Sequence, residues 1–208
     1  MMNKSFLFLA IVGVLGLPNI SMSENHDWPA YGKGTGGGNF SLAAEITPEN
    51  VSRLRQAWVH RSGDYHQGNE WTKDKVIDSS LQTSFQATPI LVEGTLFYCS
   101  PYNKVIALDP SSGEEKWVFD PKIDPEGKGI LHCRGVSSWV DDSVSESATC
   151  RHRIVSTTIE SELLSIDAVT GKLCEGFGAS GRVNLRSGLG DHDHGLYYST
   201  SPPAIIGD

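Results

Sequence analysis

The sequence predicts an all-β fold, a β-propeller of four-stranded blades, with this chain covering the first two to three of them. Three observations carry the prediction: a gap-free internal repeat, a turn signature that recurs with it, and poor periodicity for long helices. Laid over the segment fifty-eight residues later, the stretch from Leu96 brings apolar positions into register: Leu96 on Ile154, Phe97 on Val155, Val105 on Leu163 and Ile106 on Leu164. In each copy two short β-rich runs flank a polar connector, residues 100–104 and then 158–162, which reads as a hairpin. The second run ends in Asp-x-x-Ser/Thr-Gly, from Asp109 to Gly113 and from Asp167 to Gly171. There the Asp can accept backbone amides and the Gly supplies a positive φ. A further strand opens the next stretch of the first copy at Glu115-Lys116-Trp117-Val118-Phe119.

A third copy begins near the C-terminus, where the eight residues from Ser201 lie over the eight from Thr88, and it stops where its second strand should start. Repeats of about 40 to 50 residues with four short strands mark propeller blades, each of which buries its faces only against neighbours. A β-sandwich also has regularly spaced strands, but it does not require matched turns at a fixed offset. The only helical stretch expected is residues 48–55, with Thr47 as N-cap and Pro48 in the first helical position. Residues 32–38 are a Gly-rich loop; no strand precedes them and no GK[ST] follows, so a nucleotide-binding reading has no support.

The first residues read as an export signal: Lys4 is basic, residues 6–17 form an uncharged apolar run, and Ser21-Met22-Ser23 offers small residues at a peptidase site. Twelve apolar residues are too few for a spanning helix, which needs about 20. The expected organisation is a signal peptide over residues 1–23 and a propeller portion over residues 24–208, so the mature protein starts at Glu24 in the periplasm. Export permits disulfides, and the four cysteines, Cys99, Cys133, Cys150 and Cys174, allow three pairings among which the sequence does not choose. No two have CxxC spacing, which removes zinc-ribbon and thioredoxin-like readings. A net charge of -8 excludes nucleic acid as a partner, since phosphate binding needs a concentrated basic surface.

Several segments, in order, resemble the quinoprotein glucose dehydrogenases, and more distantly the quinoprotein alcohol dehydrogenases. They are Trp28-Pro29-Ala30-Tyr31-Gly32, Ile46-Thr47-Pro48-Glu49-Asn50-Val51, Phe85-Gln86-Ala87-Thr88-Pro89, Val105-Ile106-Ala107-Leu108-Asp109, Cys133-Arg134-Gly135-Val136, Gly176-Phe177-Gly178, and Tyr197-Tyr198-Ser199-Thr200-Ser201-Pro202-Pro203. The resemblance implies an eight-bladed propeller that holds pyrroloquinoline quinone (PQQ) and a calcium ion on its axis. It also implies oxidation of a sugar or polyol, in which an aspartate base abstracts a proton as hydride passes to the bound quinone, with electrons then passed to a quinone acceptor at the membrane surface. The calcium ligands and that base lie in later blades of such enzymes, so no catalytic or metal-ligating residue is assigned here.

Three cofactor-binding positions carry over from the resemblance. Arg134 matches an arginine that grips the quinone, whose carboxylates and carbonyl oxygens suit a planar two-pronged donor. Gln86 stands where relatives place Glu or Gln, and a carboxamide both donates and accepts. Thr158 matches a threonine near the cofactor in alcohol-oxidising relatives, although an ordinary strand threonine reads the same way. Sugar-oxidising relatives carry a histidine four residues before the arginine, where this chain has Ile130 and, two residues on, His132. Adjacent cysteines, found in many alcohol-oxidising relatives, are absent, which favours the glucose-type branch. Asp191-His192-Asp193-His194 reads as a solvated loop, because alternate residues of an extended segment face opposite ways. Trp58, Trp117 and Trp139 read as blade-packing residues. The rival readings are a non-catalytic scaffold propeller and a carbohydrate-binding propeller; neither needs Arg134 and Gln86 together.

Overall fold

A computed structural model describes residues 27–34, 37–66, 81–126, 128–190, 197–199 and 201–206. The export signal with its cleavage site before Glu24, the Asp191 to His194 cluster, Thr200 and Asp208 lie outside the described residues. Ten strands follow in chain order: β1 (Gln82–Phe85), β2 (Ile90–Val92), β3 (Thr95–Cys99), β4 (Val105–Leu108), β5 (Glu115–Phe119), β6 (Ile130–Cys133), β7 (Ser137–Val140), β8 (His152–Thr157), β9 (Glu162–Asp167) and β10 (Arg182–Asn184). Strands β2-β3-β4-β5 form one antiparallel four-stranded sheet and β7-β8-β9-β10 a second, the two blades expected from the repeat. Strands β1 and β6, each just upstream of a blade, run parallel to one another.

The repeat is legible in the hydrogen bonds. Ser100 N–H donates to Lys104 O and Asn103 N–H to Ser100 O; the same bonds recur from Thr158 to Glu162 O and from Ser161 to Thr158 O. Pairings of Cys99 with Val105 and Thr157 with Leu163 close the two hairpins. Apolar residues of both sheets meet in one core that includes Phe97, Val105, Val136, Ile154, Leu164 and Ile166. Each sheet thus buries a face against the other, as neighbouring blades must.

A second device joins blades at the turns. Trp58 donates its indole N–H to Pro110 O at 3.0 Å, and Trp117 does the same to Ala168 O at 3.0 Å. Under the rings lie Gly113 (φ +76) and Gly171 (φ +70), where an added Cβ would stand 2.6 Å and 2.7 Å from the indole of Trp58 and Trp117 respectively. The turn glycine therefore serves its positive φ and the ring above it together. Trp58 and Trp117 are packing residues, as expected. Trp139 carries the guanidinium of Arg153 at 4.6 Å from its ring centre.

Two expectations are corrected. Residues 48–55 form no α-helix: a 3-10 turn spans only Val51–Arg53, and Thr47 contributes its carbonyl, accepting from Asn50 and Val51 N–H. Val51 and Leu54 are both exposed, so no apolar face exists to stabilise a longer helix. In the third copy, residues 201–206 form no strand, because no second strand is present among the described residues for them to pair with. They run beside β7 instead, where the Ser137 hydroxyl donates to Pro203 O.

Candidate functional site

Parallel pairing of β1 with β6 places Phe85 opposite Cys133, so the next residue of each strand, Gln86 and Arg134, emerges beside the other. Arg134 Nε donates to Gln86 Oε1 at 3.1 Å, and Gln86 Nε2 donates to Ser84 Oγ at 3.0 Å. The backbone is fixed as well, since Thr88 N–H donates to Arg134 O at 2.9 Å. Gly135 follows with φ +156; a Cβ there would stand 3.2 Å from Thr88 O and 3.0 Å from Pro202 Cγ. Glycine suits this φ and lets the Arg134 segment, Thr88 and Pro202 approach closely, where a side chain would be both strained and crowded.

Of the three possible cysteine pairings the structure has Cys99 with Cys133 and Cys150 with Cys174. The first ties the end of β3 to the residue before Arg134. Arg134 and Gln86 are exposed at the edge of a cavity of about 960 Å³, whose lining also includes Thr88, Ser137, Ser138 and Pro202. It lies on the first-strand side of both sheets and presents a guanidinium, a carboxamide and serine hydroxyls around apolar walls. Such a donor set suits a planar ligand rich in carboxylate and carbonyl oxygens.

Thr158 is not brought to this cavity. It is 0% exposed, in the β8–β9 connector, where its hydroxyl accepts the Glu162 N–H at 3.2 Å. Ser100 does the same for Lys104 N–H, also at 3.2 Å, in the first blade. Ile130 is exposed opposite Gln82, and His132 lies edge-on to Tyr198 with ring centres 6.5 Å apart. Neither lines the Arg134 cavity. Among the described residues no group of three or more His, Cys, Asp or Glu could hold a metal ion.

A second cavity, of about 640 Å³, is walled by residues that the repeat did not single out, among them Trp58, His60, Asp64 and Tyr98. His60 bridges the Tyr98 hydroxyl at 2.6 Å and the Glu115 carboxylate at 2.7 Å. Burial, helped by the charges of Glu115 and Asp64, pushes the Tyr98 phenol up to about 12. The phenol therefore keeps its proton at neutral pH. Asp64 accepts the Ser100 hydroxyl and takes Lys104 Nζ at 2.5 Å. These partners are 36 to 55 residues apart in sequence, and no spacing signal could have joined them. They fasten residues 58–64 to the first blade, a structural task.

Residues 28–208 match the family described as "PQQ: Glucose/ethanol/alcohol dehydrogenase, beta-propeller domain". The chain is 38% identical over 191 residues to the quinoprotein glucose dehydrogenase of Escherichia coli, covering 89% of this chain and 23% of that protein. It is 35% identical to the glycerol dehydrogenase large subunit of Gluconobacter oxydans, covering 86% of this chain and 23% of the relative. Among solved structures, a europium-containing methanol dehydrogenase superposes with a TM-score of 0.62 at 21% identity, over 89% of this chain and 27% of that one. A quinohemoprotein alcohol dehydrogenase from Comamonas testosteroni gives 0.56 at 23% identity, over 78% and 20%. The chain thus spans about 23% of the length of the curated relatives.

Proposed function

Since this chain belongs to the PQQ β-propeller domain family of glucose/ethanol/alcohol dehydrogenases, we propose that it contributes two blades and part of the cofactor site to a quinoprotein dehydrogenase that oxidises a sugar or polyol and passes electrons to a quinone. The observation that carries the reading is the Arg134–Gln86 pair at the edge of the larger cavity. When bound, pyrroloquinoline quinone supplies the two-electron acceptor. This chain's residues bind and orient: Arg134 offers a fixed cation to carboxylate or carbonyl oxygens, and Gln86 both anchors Arg134 and presents a second polar group. Thr158 enters only through its connector, which packs behind the Arg134 segment. Calcium, which the family resemblance implies, is assigned no ligand in this chain. A scaffold or a carbohydrate-binding propeller would use the tryptophan and turn contacts equally well, but it has no need of the Arg134–Gln86 pair.

In the full-length protein, Arg134→Ala is expected to weaken quinone binding far more than folding. Arg134 is exposed in these two blades, but inside a closed propeller a guanidinium facing a quinone oxygen is shielded from water, and removing one side of such a pair costs about 2 to 5 kcal/mol. At ~1.4 kcal/mol per tenfold, affinity falls by roughly 30-fold to several thousand-fold. Lysine rescues only in part, because it keeps the charge and loses the fork. Quinone titration of apo-protein beside thermal melts without cofactor checks this; unchanged affinity with an earlier melt overturns it. Export to the periplasm is proposed from the sequence of residues 1–23. N-terminal sequencing of periplasmic material should begin at Glu24, and a membrane-bound form retaining Met1 would mean an anchor.

A further inference from the structure

We propose that Asn103 is a positioning residue for Arg134, holding the Arg134 segment against the second blade; this rests on the cofactor reading of Arg134 given above. Asn103 sits in the β3–β4 connector, 2% exposed, with φ +56, a conformation that asparagine tolerates better than most residues. Its side chain is committed in two directions. Nδ2 donates to His132 O, two residues before Arg134, at 3.2 Å, and Oδ1 accepts the Ile159 N–H at 2.8 Å. One buried carboxamide thereby spans the first blade, the segment that leads into the second, and the second blade's own connector.

The geometry repeats, which argues that it belongs to the architecture and not to one loop. Fifty-eight residues on, Ser161 has φ +64, is fully buried, and donates its hydroxyl to Tyr197 O in the segment leading toward Pro202. In both blades the residue with positive φ between the second and third strands grips the stretch that leads toward the next repeat. The tryptophans fasten blades at the fourth-strand turns; these residues fasten them beside the cavity. Arg134 is exposed and cannot be held by packing alone, so its direction depends on the backbone on either side, fixed by Asn103 at His132 and by Thr88 N–H at Arg134 itself. Asparagine suits the task because it donates and accepts at once, whereas aspartate at neutral pH only accepts.

The test is a double-mutant cycle in the full-length protein, read as quinone affinity of the apo-protein well below its melting temperature. Asn103→Asp keeps the shape, the positive φ and the bond to Ile159 N–H, but turns the donor facing His132 O into an acceptor. Affinity should fall by about tenfold or more, because a carboxylate oxygen then faces the His132 carbonyl with no donor between them. Combined with Arg134→Ala, the second substitution should cost little further, because coupled residues are not additive. Should Asn103→Asp not fold, Asn103→Ser takes its place, being the residue of the second blade, and a milder loss is expected. If Asn103→Asp weakens binding by the same factor with and without Arg134, or leaves affinity unchanged while lowering the melting point, the positioning role is wrong although Arg134 still binds. If Arg134→Ala alone leaves affinity unchanged, the cofactor reading fails and takes this proposal with it.

Discussion

The two blades share their middle strands and differ at their edges. Between β2 and β3 the first blade turns in two residues, Glu93 and Gly94, whereas the second spends residues 141–151 between β7 and β8. The fourth strand of the first blade, β5, stays in the sheet from Glu115 to Phe119, pairing with β4 on either side of one bulge at Lys116. In the second blade the chain pairs once at Leu173 with Ile166, leaves the sheet, and returns as β10 opposite Leu164. The disulfide Cys150–Cys174 joins these two departures, one cysteine in the long connector and the other where the fourth strand leaves. The carboxylate of Asp167 accepts the Cys150 N–H at 2.6 Å, a bond that Asp109 does not make in the first blade. A blade can thus accept insertions at both edges, provided that they are tied to one another and to the turn that both blades share.

The largest effect is expected at the contact between blades. Trp117→Ala removes a ring that covers Gly171 and packs on Phe97 with ring centres 5.8 Å apart. Trp117 is partly buried, so its truncation should cost about 2 to 4 kcal/mol, somewhat below that of a fully buried ring. The position equivalent to Trp117 in the second blade is Glu175, which is exposed, and Glu175→Ala should cost almost nothing. Denaturant unfolding of the full-length protein measures both. Equal losses would show that the docking tryptophan is no part of what joins the blades.

Close in size is the disulfide that secures the insertions. Replacing Cys150 and Cys174 by serine should cost about 2 to 4 kcal/mol, by freeing a loop of 24 residues in the unfolded chain and loosening both departures in the native one. Hydrogen exchange should rise over residues 141–151 while the β3–β4 hairpin stays protected. A uniform rise across both blades would mean that the insertions are not independently held.

What the sequence disclosed follows the same division. Middle strands, connectors and Asp-x-x-Ser/Thr-Gly turns were legible because core packing and turn chemistry repeat at a fixed offset, so the overlay begins at Leu96 and loses register beyond Gly113. The insertions have no periodicity of their own, and the cysteine pairing needed the fold to bring residues together. At the site, Arg134 and Gln86 were identified through family resemblance, but their contact depends on a parallel β1–β6 pairing that no local signal announces. For Thr158 the resemblance supplied only the position, and it took the structure to place the hydroxyl on the Glu162 N–H. Asn103 escaped notice because a single asparagine in a polar connector looks like any turn residue until both its bonds are seen.

The smallest effect expected, and the one that separates the blades most sharply, is the pH dependence of their turn carboxylates. Burial pushes the Asp167 carboxyl up, but bonds from the Cys150 amide, the Thr170 hydroxyl and amide and the Val169 amide outweigh it, and the group sits below the ordinary carboxylate range. Asp109 is held low by the Ser112 and Ser111 amides against a small burial effect. A carboxyl depressed in the folded state contributes stability in full above its unfolded value of about 3.9, and that contribution is lost as pH falls through the lower folded value. Asp167→Asn should therefore cost about 1 to 2 kcal/mol at neutral pH, from weakened bonds to the Cys150, Val169 and Thr170 amides. The gap from wild type should close as pH falls below about 4. Asp109→Asn should cost less, since Asp109 is the more exposed and holds only its own turn. Urea unfolding of both variants between neutral pH and pH 3, with exchange at the Cys150 amide as local readout, checks the difference. If the two variants lose equal stability and Cys150 exchange does not change in Asp167→Asn, the bond to Cys150 is not what secures the insertion, and the disulfide alone holds it.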